Sequence, residues 1–509
     1  MNHKVFALSV TLMFSGCAIG PDYHRPEVTL PEGYSVADPE TATTATASAA
    51  VNPEWWRLFE DSELDRLVEL TFANNQDLVA AVARMEATEA AAREAGADYL
   101  PNVNLEASSS RTRTSAETVS GRNTGAMTVP DRYAALSVGY EVDLWGRIRR
   151  QNEVARARAL SSRFARDSLS LSLAGMVTTE YLTLRMLDAE LDSTIDNLAS
   201  WLKTERIMKV RLEEGLSAEI EWKQTIAAYA GARAQWVELK RQRDLAENRL
   251  GLLVGQPGLV VGRAHEKGRR NREFFRTIPF PPIPPLGLPS YLLEARPDVR
   301  QAEESLIAAN ANIGVAKSAY FPVIGLTGLW GSESAALAQL FTAPAKIWSY
   351  GAALAMPIFN AGRTGARVDQ ATASQREALA NYRKSVQTAF TEVRDALANL
   401  NYYQKAVSTL EAQVNAARDT ERLAMTRYET GYSSFLEPLD SRRTLINAEL
   451  AYLAAHRNHL VATVELFKAL GGGWYQENPQ QAETGEENPG EADPNDKGVH
   501  LKLDAGKGN

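Results

Sequence analysis

Few residues in this sequence have the type and spacing that chemistry needs. Its only cysteine in 509 residues, Cys17, lies in the stretch LMFSGCAIG. A lone thiol forms no internal disulfide, and zinc or iron–sulfur sites normally need several ligands. Three uses are left: a buried small residue, a reactive thiol, or an attachment point. His456 and His459 stand three apart on a helical stretch and could share a metal, but no third ligand lies nearby in sequence. There is no Walker loop, no GxGxxG and no Cys/His dyad, so no clustered catalytic set argues for an enzyme.

The residues around Cys17 favour attachment. Met1 to Lys4 carries one firm positive charge, Val5 to Phe14 is an uncharged, mostly apolar run, and Ser15-Gly16 supplies a small-residue cut site. Residues 1–16 therefore read as a signal peptide. Their apolar core is too short to cross about 30 Å of hydrocarbon as a helix. Phe14-Ser15-Gly16-Cys17 resembles a bacterial lipoprotein signal. That resemblance implies a covalent lipid on Cys17, S-diacylglycerol with N-palmitoyl, and no other cofactor. By the same resemblance, Ala18 after the cysteine points to sorting to the outer membrane.

Composition limits the partners. The formal charge is −8, and Gln476 to Asn509 contributes eight carboxylates against three lysines, so the body is nearly neutral. No basic field for nucleic acid is present. No apolar stretch of about 18 residues follows Cys17, so any spanning of a membrane must use β-strands. Residues 38–50 are small and polar and read as linker. The tail 476–509, acidic and rich in Gly and Pro, reads as disordered.

The elements that position these residues follow from period and punctuation. Prolines are absent from Asp131 to Gln256 and from Ile358 to Glu437. In the second interval Val386, Val393, Leu400, Val407 and Val414 recur every seven residues, with Ala389, Ala396, Tyr403, Leu410 and Ala417 three positions on. Val177, Leu184, Leu191 and Leu198 repeat the rhythm in the first. Such seams predict coiled-coil packing. Helices near 147–213 and 363–430 would each run about 100 Å. VRLEEGLSAEIEWKQ (210–224) and TRYETGYSSFLEPLD (426–440) each place a glycine, Gly215 or Gly431, between a long helix and a second one of about 35 residues.

These matched turns, and the parallel stretches 74–105 and 295–326, make the chain an internal duplication. The expected organisation is a lipidated N-terminal segment and linker at 17–62 and a first repeat at 63–257. An inter-repeat segment at 258–290, a second repeat at 291–475 and the tail follow. Each repeat also holds a strand pair, near 101–145 and near 321–359, joined in the first by a Gly/Ser/Thr-rich loop at 115–131. Leu136, Val138, Tyr140, Val142 and Leu144 alternate with mostly polar neighbours, as a strand with lipid on one side and water on the other requires. A one-sided soluble sheet shows the same alternation. Four strands cannot close a barrel in lipid, so several copies must pool theirs.

Several stretches resemble the outer-membrane factor family, the TolC/OprM type of efflux channel, and above all its lipid-anchored NodT-like branch. They are GCAIGPDYHRPEV (16–28), WWRLFEDSELDRLVELTFANNQDL (55–78), YEVDLWGRIRR (140–150), GLPSYLLEARPDVRQAEESLIAANANIGVAKSAYFP (287–322), PIFNAGR (357–363) and ALGGGW (469–474). The resemblance implies an α+β membrane protein. It would be a homotrimer whose twelve-stranded transmembrane β-barrel continues into a twelve-helix periplasmic α-barrel. Each chain would supply four strands and long coiled-coil helices. It also implies docking on a periplasmic adaptor and an inner-membrane pump of the RND type, contact with outer-membrane lipid, and passive conduction of drugs or other small compounds. By the same resemblance the turns at Gly215 and Gly431 form the periplasmic tip. Glu221, Glu437 and Asp440 ring a closed aperture there, and Tyr428 ties neighbouring helix pairs together. Ser433 stands where some members carry an arginine. Acids in a helix's first turn also stabilise its N-terminal dipole with no pore required. A type I protein-secretion duct fits the same fold, though such ducts usually lack the anchor. A structural coiled-coil lipoprotein fits the heptads but not the duplicated strands. Trp55-Trp56 suit core packing better than lipid headgroups, and the Arg/Lys cluster at 263–276 reads as a solvated loop near the helix-barrel equator, with an adaptor contact as the alternative.

Overall fold

A computed structural model describes residues 18–29, 31, 52–263, 270–283 and 295–473. Cys17, the signal segment, the 38–50 linker, the GLPS stretch at 287–290 and the acidic tail lie outside the described residues.

The duplication is geometric as well as textual. Helix α1 (Ser62–Asn74) leads to α2 (Gln76–Ala97) and β1 (Asn102–Arg113). A short helix α3 (Val119–Thr124) precedes β2 (Thr128–Val142), α4 (Arg147–Glu213) and α5 (Glu219–Val254). After α6 (Asn271–Thr277) the order returns as α7 (Pro297–Ser318), β3 (Val323–Ser334), β4 (Lys346–Ala355), α8 (Arg363–Glu429) and α9 (Leu436–Ala469). Helices α2 and α7 are both 22 residues long, β1 and β3 both 12, and α4 and α8 both 67. Where the sequence predicts one loop at 115–131, the chain forms α3 and has begun β2 by Thr128. The strand run expected to reach Phe359 ends at Ala355, because Pro357 has no amide to continue the ladder. Leu144 lies beyond β2, in the turn that enters α4.

Among the described residues, one compact unit comprises 18–27, 84–163 and 301–383. It holds one four-stranded antiparallel sheet in the order β1-β2-β3-β4, so the two hairpins join through β2 and β3. Helix connections all enter the sheet at one end and the hairpin turns close the other. At the helical end, YEVDLWGR works as a junction. Asp143 accepts from the amides of Ile148 and Arg149, both at 2.9 Å, and so caps α4. Glu141 clasps Arg147 at 2.7 Å, and the Trp145 indole donates to the Pro322 carbonyl at 2.9 Å. Against this junction lies the strap of residues 18–27. The Ile19 amide donates to the Trp145 carbonyl (3.0 Å), Arg150 pairs with Asp22 (2.6 Å) and Arg25 with Glu303 (2.7 Å).

The second unit comprises the described residues within 28–83, 164–300 and 384–473, so both units draw on both repeats. Its core contains the predicted heptad residues Val177, Leu184, Leu191, Val386, Val393 and Val414, all buried. Trp55 and Trp56 belong to this core: Trp55 is fully buried and stacks on Phe467 at 5.6 Å. The repeats close through matching clamps. Asn75 donates to the Leu253 carbonyl (2.8 Å), and Arg296, its counterpart, donates to the Ala469 carbonyl (3.0 Å). Beside them Gly255 (φ +73°) faces the Asn74 carbonyl and Gly471 (φ +89°) faces the Ala295 carbonyl. Added Cβ atoms would sit 2.4 and 2.3 Å from those oxygens.

Only glycine satisfies both the positive φ and the close approach. Gly471→Ala should therefore cost about 3 kcal/mol of stability. Gly258→Ala, at φ +86° in open space, should cost about 1 kcal/mol. Denaturant unfolding of the purified protein separates the two, and equal losses would contradict the clamp.

Candidate aperture at the helical tips

Both long helices end in the same device. The Leu216 amide reaches back to the Arg211 carbonyl (2.7 Å) and the Tyr432 amide to the Arg427 carbonyl (2.8 Å), across Gly215 (φ +70°) and Gly431 (φ +81°). This back-bonded glycine cap satisfies the last carbonyls of each helix and reverses the chain. It delivers the acids of the next helix to the tip.

The two turns are brought together through one apolar cluster. Trp201, Met208, Ala232, Tyr428, Phe435 and Leu439 are buried, with Trp222 and Tyr229 packed on them. Tyr428, from the second repeat, is 8 % exposed and its hydroxyl donates to the Met208 sulfur, in the first, at 3.4 Å. Its ring meets Phe435 edge-on at 5.4 Å, and the Arg211 guanidinium lies 5.4 Å from its centroid. Burial, and then the adjacent Glu221 carboxylate, push the Tyr428 hydroxyl above its ordinary pKa, so it stays a donor.

Of the expected aperture acids, Glu221 thus sits beside Tyr428, while Glu437 pairs with Arg427 at 3.3 Å. Asp440 is exposed on α9, one turn further along, and Ser433 is half-buried in the turn. Glu219 and Glu221 occupy the first turn of α5, and Glu437 that of α9, where they also complement the helix dipoles. The two arginines escaped the sequence reading. Their signal was available: each stands four residues before its turn glycine, in VRLEEG and TRYETG. The duplicated position has diverged in use, Arg211 lying over an aromatic ring and Arg427 neutralising an acid.

The two histidines are occupied by packing. His456 is 3 % exposed, with Phe275 at 5.1 Å and Phe280 at 4.9 Å, and His459 lies 4.1 Å from Phe280. Among the described residues no group of three His, Cys, Asp or Glu side chains could hold a metal. The basic stretch at 263–276 differs from a free loop where it is described. Arg263 pairs with Asp188 (3.4 Å), and Arg270 (3.3 Å) and Arg272 (3.4 Å) pair with Asp196, all on α4.

The chain matches the family model described as "Outer membrane efflux protein" over residues 67–256 and 288–472. It is 33 % identical over 483 residues to the probable efflux pump outer membrane protein TtgC of Pseudomonas putida, covering 94 % of this chain and 98 % of that protein. It is 32 % identical over 470 residues to the outer membrane protein OprJ of Pseudomonas aeruginosa, covering 92 % and 96 %. Its fold superposes on the Campylobacter jejuni CmeC outer membrane channel with a TM-score of 0.83 at 25 % identity, covering 92 % and 97 %.

Two measurements follow. Tyr428→Phe keeps the ring and should change closed-state conductance little. Glu437→Ala combined with Asp440→Ala releases Arg427 and removes two carboxylates, and should raise it severalfold; unchanged conductance in planar bilayers would contradict the aperture assignment. His456 supplies a pH test. Burial holds its pKa down at about 4, against about 6.5 when unfolded. The unfolded chain therefore binds the extra proton first, and stability falls as pH drops from 6.5 toward 4. Between pH 7 and 5 this amounts to about 2 kcal/mol. His456→Leu should shrink the acid loss by that amount, and an unchanged pH profile would refute the assignment.

Proposed function

The chain belongs to the outer membrane efflux protein family, and from that premise we propose that three copies pool their strands into one transmembrane barrel open to the exterior. The protein is an outer membrane channel component of an efflux pump, extends into the periplasm, and works with an adaptor and an inner-membrane pump. Membership is of a transport family.

The observation that carries the trimeric barrel is the open sheet. With the order β1-β2-β3-β4, strands β1 and β4 each keep one unpaired edge. Lipid leaves no water to satisfy those edge amides and carbonyls, so each must find a strand from another copy. Four strands per chain give twelve from three copies, a count that leaves room for a lumen. The polarity of the faces supports the same arrangement: Val103, Leu105, Leu136, Val138, Leu326, Trp330, Trp348, Tyr350 and Leu354 are exposed on one side of the sheet. Among the described residues no helix is long and apolar enough to cross a membrane.

Within this arrangement twelve long helices continue the duct in the periplasm, and Tyr428, Glu221, Glu437 and Asp440 form its closing tip. Energy comes from the pump, and the duct conducts drugs or other small compounds passively. Names borne by relatives, including toluene and cation efflux proteins, fit an exit that leaves selection to the pump. Cys17 carries the diacylglycerol and palmitoyl chains. Ala18, its chain neighbour, packs against Gly146 at the sheet–helix junction, which suits a tether in the periplasmic leaflet.

Planar-bilayer recording with mass measurement of the same particles tests this reading. Discrete, cation-preferring pores from trimeric particles are expected. A monomeric or dimeric particle, or trimers that never conduct, would overturn it.

A further inference from the structure

The strand register sorts charge by sign between the two faces of the sheet. Pairing places Leu105, Leu136, Trp330 and Trp348 in one row across one face, and Ala107, Ala134, Ser332 and Lys346 in the next row toward the hairpin turns. Ser109, Arg132 and Ser334 form the row after that, with Arg111 and Arg113 following on β1. Every basic residue of the four strands (Arg111, Arg113, Arg132 and Lys346) is therefore on the apolar face. Every acidic residue (Glu106, Asp131, Glu141 and Glu333) is on the opposite, polar face. The alternation alone demands only that charges avoid the apolar band, and a random mixture of signs would satisfy it.

The cations also gather at one end of the sheet, in successive rows toward the hairpin turns. All four sit between the aromatic row and the hairpin ends, the ends remote from the helices. Lys346 is two residues from Trp348, about 7 Å along the strand. Arg111 and Arg132 are diagonal neighbours, about 7–8 Å apart. Arg111, Arg113 and Lys346 are exposed, and Arg132 donates to the Ala335 carbonyl, which fixes its guanidinium at the rim. None of the four joins an ion pair among the described residues, whereas Arg122 in the adjoining turn is already matched by Glu117 at 3.9 Å. With the helices in the periplasm, this rim meets the outer leaflet, where the lipid is a phosphorylated glycolipid.

We propose that Arg111, Arg132 and Lys346 bind the phosphates of an outer-leaflet glycolipid headgroup whose acyl chains lie on the apolar band below. This inference rests on the sheet being the membrane wall. Arginine offers phosphate a forked pair of donors, and basic groups just above an apolar surface favour anionic lipid. The aromatic row marks the boundary at which such a headgroup sits. The acids on the other face line the lumen, so they neither repel the lipid nor neutralise these cations.

The test uses delipidated full-length protein in detergent, native mass spectrometry, and three probes: bis-phosphorylated lipid A, the same lipid dephosphorylated, and inorganic phosphate. Wild type should retain the bis-phosphorylated lipid at a concentration about tenfold lower than the dephosphorylated one. Arg111→Gln with Lys346→Gln, which spares the Arg132 anchor, should narrow that preference to about twofold, and adding Arg132→Gln should abolish it. Equal retention of the two lipids by wild type, an unaltered preference in the variants, or displacement of the lipid by equimolar phosphate would each overturn the inference. Conductance of the same preparations separates the two readings. Pores without a phosphate preference refute the lipid site alone, and wild-type particles that form no pore refute the membrane wall beneath it.

Discussion

An antiparallel sheet with two open edges cannot rest in hydrocarbon, and the rest of this structure depends on that constraint. An edge amide in water loses little by being unpaired. The same group in lipid forfeits several kcal/mol. Strands β1 and β4 can escape this cost only by pairing outside their own chain. The duplication repeats the plan: β1 and β3 have equal lengths, as do α4 and α8, although β2 has 15 residues and β4 has 10. The sheet–helix junction must then hold each long helix to its hairpin. It does so with Asp143 capping α4, Trp145 bonded to Pro322 and the 18–27 strap lying across Gly314.

At the other end of the helices the constraint changes from hydrogen bonding to charge. Two glycine turns bring the starts of α5 and α9, with Glu221, Glu437 and Asp440, to the one apolar cluster at the tip. The structure answers each differently. Arg427 neutralises Glu437, Tyr428 stands beside Glu221, and Asp440 is left in solvent. The buried aromatic cluster beneath them holds the two repeats together, so the acids can change partners without the tip losing its core. The charged groups lie outside that core, and the one ion pair among them, Arg427 with Glu437, is exposed.

Much of this was legible in the residues. Heptad spacing and the absence of proline gave both long helices their ends to within a residue, because helix periodicity is local and its breakers are few. Period-two alternation located the strands, and Gly215 and Gly431 marked the turns. What stayed hidden was non-local. Nothing local shows that Asn75 and Arg296 clamp equivalent carbonyls, or that Trp55 stacks on Phe467, four hundred residues later in the chain. The segregation of Arg132 and Lys346 from Glu106 and Glu333 needed the register of all four strands. Arg211 and Arg427 were visible as a repeated position, but their different partners follow from packing between repeats. Cys17 and the acidic tail remain matters of sequence.

Hydrogen–deuterium exchange on the assembled, membrane-extracted protein tests the central constraint most directly. If other copies complete the sheet, backbone amides throughout β1 and β4 will be protected as strongly as those of β2 and β3. Rapid exchange along the outer edges of β1 and β4, with β2 and β3 still protected, would mean that the edges are open to water and that the sheet is not a closed membrane wall.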